Sequence, residues 1–345
     1  MLIPEDRDYL LIVGDSREVL KSIPDGYVRC VVTSPPYFNL RDYGVDGQIG
    51  LEDDPRDYIA ELVSIFREVR RILADDGTLW VNIGDTYAGS GRGTNDYREK
   101  DGLGSRPRTQ YTGQKRDRSG LKPKDLIGIP WMLAFALRDD GWYLRQDIIW
   151  HKPNGIPESV RDRCTRTHEY IFLMTKSSKY YYNSDRIREP YKLSTIKRAL
   201  RGQNPGKWGF EDSPQSKTKS FMEHARENVV RQFDTETVLR NGFIGNGGRL
   251  IINPKGRNKP SVWSVPSCVR RNGIHYAAFP EKLIEPCILA GSDPGDVVLD
   301  PFCGIGTTGV VALRHGRKFI GCDINPEYIE YAEKRILEVP AGLFR

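Results

Sequence analysis

Two short stretches hold the residue types that could do chemistry. The first is CVVTSPPYFN, Cys30 to Asn39, where an apolar run reaches Thr33 and gives way to Ser34, Pro35, Pro36 and Tyr37. Proline fixes φ and has no N–H to donate, and the residue before a proline is pushed towards extended geometry. A strand ending this way stiffens at once into a hook that offers carbonyl acceptors, one hydroxyl and one flat ring. An ordinary proline turn has the same local pattern, so the stretch by itself assigns no reaction. The second is DPFCGIGTTG, Asp300 to Gly309, in which Gly304, Gly306 and Gly309 form G-x-G-x-x-G after a strand-like run and before a helix-like one. Asp323 follows about 20 residues after the glycines, where a ribose-binding acid belongs in a dinucleotide fold. Glycines let backbone approach a ligand, and a carboxylate at the next strand end can hold ribose hydroxyls, so any adenosine cofactor fits, a nicotinamide dinucleotide included. Asp300 and Pro301, directly before the glycines, favour a different ligand. A pyrophosphate repels a carboxylate there, whereas a sulfonium cofactor with an amino-acid tail presents Asp300 with a cation.

These stretches need a frame that brings them together. YLLIVGD (Tyr9–Asp15) reads as a buried strand ending in a Gly-Asp turn, SREVLKSIP as a helix and VRCVVTSPPY as the next strand. DPRDYIAELVSIFREVRRILADDG has apolar residues at helical spacing, an acidic start and a glycine stop, and TLWVNIGD reads as a strand again. This β-α-β-α-β alternation predicts an α/β fold with a parallel sheet covered by helices. DLIGIPWMLAFALRDDG and FPEKLIEPCILAGS read as helices, and WYLRQDIIWHKPN and HEYIFLMTKS as strands. The chain closes with DVVLDPFCGIGTTGVVALRHG, RKFIGCDINPE and YIEYAEKRILEV: strand, glycine-rich turn, helix, strand, helix. Residues 88–124 lose apolar periodicity, which predicts a long loop. Residues 192–260 are polar and irregular, which predicts an inserted subdomain.

Composition bounds the partners. The 345 residues are 28% charged and 38% hydrophobic, a globular balance with chain enough for a core. Net charge is +6, unevenly spread. Residues 88–124 hold ten Lys/Arg against four Asp/Glu, and residues 192–260 hold fourteen against six. These segments carry +6 and +8, and the rest of the chain −8. Two basic regions on an acidic body suit a polyanion, and equally two solvated loops. The six cysteines show no C-x-x-C pair and read as buried free thiols of a reducing compartment. His151, His168 and His275 lack metal-ligand spacing, so no metal is expected. No signal-peptide pattern or membrane-length apolar run is present, and the expected location is the cytoplasm.

TSPPY together with DPFCGIGTT resembles the S-adenosylmethionine-dependent DNA amino-methyltransferases. The hook comes first and the glycine loop last, as in the permuted beta group of that family, which carries its target-recognition region between them. The resemblance implies a Rossmann-like methyltransferase fold with circularly permuted motif order. Residues 1–191 would form the catalytic half with its basic loop 88–124, residues 192–260 a target-recognition insert, and residues 261–345 the cofactor-binding half. The cofactor implied is S-adenosyl-L-methionine, held by Asp15, Phe279, Asp300, Pro301, Phe302, Gly304, Gly306, Thr307 and Asp323. Asp15 matches the acid that meets the adenine amino group. Phe302 and Phe279 pack on the cofactor or fill the core.

The substrate implied is double-stranded DNA, with a companion restriction endonuclease as a further partner. The reacting group would be an exocyclic amine whose lone pair is delocalised into the base. Acceptors aimed at its N–H bonds draw the nitrogen towards tetrahedral geometry. Ser34 and the carbonyl of Pro35 are the candidates, with Pro36 holding the hook and Tyr37 stacking on the flipped base. In the family, Ser-Pro-Pro-Tyr goes mostly with cytosine N4, and Asp- or Asn-Pro-Pro-Tyr with adenine N6. Ser34 therefore points to cytosine N4, with adenine N6 the alternative. Asn39, Arg41 and Tyr43 would form a lid, and Lys152 and Asn154 either reach DNA or close a hairpin tip. Cytosine C5 chemistry would need Cys287 as nucleophile with Glu227-Asn228-Val229, but the order is reversed and Cys287 reads as a core thiol. The rivals of other classes are a nicotinamide-dependent oxidoreductase using the glycine loop and a catalytically idle DNA-binding module.

Overall fold

The computed structural model describes residues 2–39, 45, 47–88, 121–200, 240, 243–244, 250–268 and 279–339. The chain divides into two compact units, Met1–Asn183 with Ser261–Arg345, and Ser184–Pro260. The larger unit contains β1 (Tyr9–Val13), α1 (Ser16–Val19), β2 (Val28–Thr33), α2 (Pro55–Ile72), β3 (Leu73–Ile83), α3 (Ile129–Asp139), β4 (Tyr143–His151) and β5 (His168–Thr175). The smaller unit contributes α4 (Leu193–Leu200), β6 (Phe243–Ile244) and β7 (Leu250–Ile252). The chain then returns to the larger unit with β8 (Val262–Ser264), α5 (Glu281–Gly291), β9 (Val297–Asp300), α6 (Thr307–Arg314), β10 (Lys318–Asp323) and α7 (Pro326–Leu337).

Eight strands form one sheet in the order β1-β10-β9-β2-β3-β5-β4-β8. Every neighbouring pair is parallel except those of β5, which runs against β3 and β4. The first strand lies beside the last, with Tyr9 to Val13 in register with Phe319 to Asp323. Gly14 N donates to Asp323 O at 2.9 Å, continuing the ladder by one residue. The permuted motif order thus closes into one sheet. Connections leave β9 in one direction, through α6 to β10, and β2 in the other, through α2 to β3, so the sheet reverses between β9 and β2. Ligands of open α/β sheets bind at such a reversal, outside the carboxyl ends of the strands.

Both faces of the sheet are covered because the strand residues alternate. Val31 joins a buried cluster with Leu62, Phe66 and Val69 of α2 and Leu133 and Leu137 of α3. Its neighbour Cys30 faces α5, where Gly291 lies against Cys30, Thr78 and Trp80. Helix α2 forms for legible reasons: Asp54 caps it by accepting from Arg56 N at 2.8 Å, Pro55 opens it, and Tyr58, Leu62, Ile65, Val69 and Ile72 stripe its inner face.

Two boundaries differ from the sequence reading, and so does the burial of two cysteines. Helix α2 stops at Ile72, and Leu73 already pairs with Val28. The next paired residues are Cys30 and Thr78, so the ADDG stretch is absorbed in a bulge of β3 and does not extend the helix. The smaller unit begins at Ser184, before the expected 192, because Glu189 and Arg257 exchange backbone hydrogen bonds of 3.0 and 2.8 Å. All six cysteines are free, but Cys164 and Cys268 are exposed. Residues 89–120 of the expected loop lie outside the described residues, as do Arg201, Lys207, Trp208, Phe210, Phe221, Arg226, Arg231 and Arg249 of the insert.

The packing of α6 on β10 leaves no room at Gly309, where an added Cβ would stand 2.6 Å from two ring carbons of Phe319. Gly309→Ala should therefore cost about 1–3 kcal/mol, measured as a lowered midpoint in chemical denaturation. An unchanged midpoint would show that this contact has slack.

Candidate active site

The residues expected to hold the cofactor gather at the ends of three neighbouring strands. Gly304 and Gly306 take positive φ, 49° and 73°, so the loop after β9 turns where a side chain would be strained. At Gly306 a Cβ would also stand 2.8 Å from that of Ala332 in α7. Asp323, at the end of β10, accepts from Gly304 N and from Asn325 N, each at 2.9 Å. Burial raises its carboxyl above the ordinary range against these two bonds. Asp15, at the end of β1, caps α1 through Arg17 N at 2.8 Å and pairs with the Arg17 guanidinium. Burial would raise the Asp15 carboxyl, but Arg17 outweighs it and holds it below the usual value. The carbonyl of Pro301 accepts from Ser16 Oγ at 2.5 Å, tying the glycine loop to the start of α1. Phe302 is half-buried against the core, and Phe279 is buried. Thr307 is buried at the start of α6 and accepts from Arg335, which also donates to the carbonyl of Ile305.

Asp300 does not face outward. Its side chain is buried, and three donors of the chain take up its oxygens. Thr33 Oγ1 and Phe302 N donate to Oδ1 at 2.6 and 3.1 Å, and Thr308 Oγ1 donates to Oδ2 at 2.7 Å. Burial still pushes its carboxyl up to about 6. Thr33 is the residue before Ser34. Asp300 therefore fastens the hook to the glycine loop across 267 positions of sequence.

The hook itself is half in and half out. Pro35 is buried, while Ser34, Pro36 and Tyr37 are half-buried. The Pro36 carbonyl accepts from Tyr58 of α2 at 2.7 Å, so it is already engaged. No donor among the described residues reaches the Pro35 carbonyl. The Tyr37 ring lies over Gly84, where a Cβ would stand 2.7 Å from it. The Tyr37 hydroxyl donates to Glu169 Oε2 at 2.7 Å, and Glu169 is paired with Lys152. The pairing of Ile83 with Tyr170 sets Glu169 beside Gly84 at the site end of β3.

The fold thus brings Ser34 to Tyr37, Asp15, Asp300 to Thr307 and Asp323 to the carboxyl ends of neighbouring parallel strands. Asn39 is anchored by Gly50 O and Glu52 O, and Arg41 and Tyr43 lie outside the described residues. Lys152 turns inward to Glu169, and the Asn154 side chain holds Ser267. Cys287 is fully buried in α5, and Glu227-Asn228-Val229 lies outside the described residues. Sequence reading missed Thr33, Thr308 and Glu169. A threonine next to a strand's end carries no signal of its own, and Glu169 sat unremarked inside a strand pattern.

The profile of a DNA methylase family, one covering N6 and N4 methyltransferases, matches residues 28–334. The chain belongs to this family. The methylase is 44% identical over 326 residues to the type II methyltransferase M.Cfr9I of Citrobacter freundii, covering 94% of this chain and 87% of that one. It is similar in fold to the cytosine-N4-specific PvuII DNA methyltransferase, with a TM-score of 0.57 at 18% identity over 97% and 89% of the two chains. It is also similar to a DNA modification methylase of Thermus thermophilus in complex with S-adenosyl-L-methionine, with a TM-score of 0.53 at 25% identity over 97% and 96%. The sheet of the methylase is accordingly a Rossmann-like methyltransferase sheet, and the oxidoreductase alternative falls with the family match. No helix among the described residues is long and apolar enough to cross a membrane.

The raised carboxyl of Asp300 has a measurable consequence. Its ordinary value is 3.8 and its value in place is about 6. Its contribution to stability is complete below about pH 4 and is lost as pH rises through about 6. Asp300→Asn cannot titrate, so the variant's melting temperature minus the wild type's should climb between these limits and level off above them. Scanning calorimetry across the window checks this, and a flat or falling difference would contradict it.

Proposed function

We propose that this methylase transfers a methyl group to the exocyclic amine of a base flipped from double-stranded DNA, that the cofactor is S-adenosyl-L-methionine, and that the base is cytosine, methylated at N4. The observation that carries the reading is the Ser34 hook fastened beside the glycine loop through Thr33 and Asp300. The site fits the cofactor. Two positive-φ glycines leave backbone open to a ligand, and the carboxylates of Asp15 and Asp323 end two adjacent strands, as adenine amino and ribose hydroxyl groups require. Asp15, Asp323, Gly304, Gly306, Thr307, Phe302 and Phe279 would hold it. Asp300 and Pro301 would shape the loop from behind, which replaces the direct ionic role expected of Asp300. Bound there, S-adenosyl-L-methionine supplies an electrophilic methyl group on a sulfonium.

The chain's own residues prepare the amine. Ser34 Oγ and the carbonyl of Pro35 accept from its two N–H bonds and release the nitrogen lone pair for in-line attack, and the methylated nitrogen then sheds one of its protons to solvent. These acceptors are fixed before the reaction, so no reorganisation is needed during it. Tyr37 offers its ring to the flipped base and Pro36 locks the hook to α2 through Tyr58. The neutral Ser34 supports cytosine N4. The similarity to type II methyltransferases supports a site-specific enzyme that works beside a restriction endonuclease. The smaller unit and its basic sequence would read the site.

Two experiments test this. DNA methylated by the enzyme and hydrolysed to nucleosides should contain N4-methylcytosine. N6-methyladenine would overturn the assignment of the base, and neither product would overturn the reaction. Ser34→Ala should lower kcat by about 10²-fold or more while calorimetry finds cofactor affinity unchanged.

For recognition, affinity for DNA should fall steeply with salt, as phosphate contacts release counterions. Arg→Ala changes in residues 192–260 should divide into those that lower the salt slope by about one and those that relax site choice. If none alters site choice in a methylation-site assay, recognition lies elsewhere in the chain.

A further inference from the structure

A second polar cluster lies on the side of the hook away from the glycine loop. Tyr37 has one hydroxyl hydrogen, and the nearest acceptor is Glu169 Oε2 at 2.7 Å. Asn82 Oδ1 is farther, at 3.3 Å, and the Asn82 amide donates in turn to Tyr170 O at 3.1 Å. Ser34 Oγ donates to the Tyr37 oxygen over 3.5 Å, a long link of the kind that tightens when a substrate is bound. Lys152 pairs with Glu169 on its other oxygen and lies 4.3 Å from the centre of the Trp150 ring. Both members of the pair are mostly buried, with side-chain exposures of 22% and 15%.

A carboxylate can only accept hydrogen bonds, whereas a hydroxyl has one hydrogen to give and two lone pairs to receive with. Glu169 at the end of the chain therefore fixes the direction of every link before it. Tyr37 must donate to Glu169, which leaves its oxygen free to accept from Ser34. Ser34 then spends its only hydrogen on Tyr37, and its lone pairs are left for the pocket. Lys152 orients the terminal group by pairing with its other oxygen. Burial, together with the negative charge of Glu169, pushes the Tyr37 hydroxyl well above its usual range, so it stays a donor.

We propose that Glu169, held by Lys152, is a positioning residue that sets the direction of the Ser34–Tyr37–Glu169 hydrogen-bond chain and so makes Ser34 an acceptor for the target amine. This rests on Ser34 acting on an amine, as proposed above. It also gives Tyr37 a task that its ring alone does not fulfil. With a neutral amide at 169, an N–H can point at the Tyr37 oxygen. The Tyr37 hydrogen then turns back to Ser34, whose own hydrogen is forced towards the pocket, where it opposes the N–H bonds of the amine.

The test is a double-mutant cycle between Glu169→Gln, which keeps shape, and Tyr37→Phe, which keeps the ring. Each single change should lower kcat by about tenfold to a hundredfold. KM for DNA and calorimetric cofactor affinity should hold. The double variant should be no slower than the slower single one, because both changes break the same chain. If Glu169→Gln fails to fold, seen as a lost melting transition, Tyr37→Phe decides alone. Tyr37→Phe with wild-type kcat would overturn the proposal, as would losses that multiply in the double variant. A wild-type enzyme that leaves no methylated amine in DNA would instead overturn the reading beneath it.

Discussion

One buried carboxylate holds the two halves of the site together. Asp300 lies at the end of β9, Thr33 at the end of β2, and Thr308 at the start of α6, and their hydrogen bonds meet on the two oxygens of Asp300. A buried carboxylate costs several kcal/mol in lost hydration. Hydrogen bonds to a charged group return about 1.5–3 kcal/mol each, and three are made. The bonds offset part of that cost, and a carboxyl raised to about 6 shows that desolvation still leads. The cluster therefore contributes little net stability. What it contributes is register: Ser34 cannot shift along the strand direction without breaking a bond to the glycine loop.

A second anchor works from the opposite side. Lys152, just after β4, pairs with Glu169 at the start of the antiparallel β5, and Glu169 holds Tyr37 by its hydroxyl. Between the two anchors, the hook is fixed at Thr33, at Pro36 through Tyr58, and at Tyr37. Between these fixed points Ser34 gives its hydrogen to Tyr37 and keeps its lone pairs, and no donor among the described residues reaches the Pro35 carbonyl. That arrangement suits a reaction that needs acceptors held in place more than it needs a strong base.

The sheet order makes both anchors available. In a permuted chain, β1 and β10 are far apart in sequence yet run side by side, which sets Asp15 beside Asp323. The reversal between β9 and β2 sets the hook beside the glycine loop. The antiparallel strand β5 turns its amino end towards the site, and that reversed direction carries Glu169 to Tyr37.

Much of this was legible in the sequence by itself. The α/β alternation, the rigidity of Ser34 to Tyr37, and the glycines at 304 and 306 are local properties, set by backbone chemistry and side-chain periodicity. Their joint occurrence and order marked the family and the permutation. Other features depended on the tertiary structure. The direction of the Asp300 carboxylate, read as facing a ligand, was settled by Thr33 and Thr308, which reach it only across the sheet. Lys152 read as a hairpin tip or a DNA contact until β5 set Glu169 beside it. The end of α2 at Ile72 was decided by Leu73 pairing with Val28, against a helical pattern that ran on to the glycine. The reason is the same in each case: a side chain's partner is fixed by strand pairing, and pairing between distant strands leaves no trace in the spacing of nearby residues.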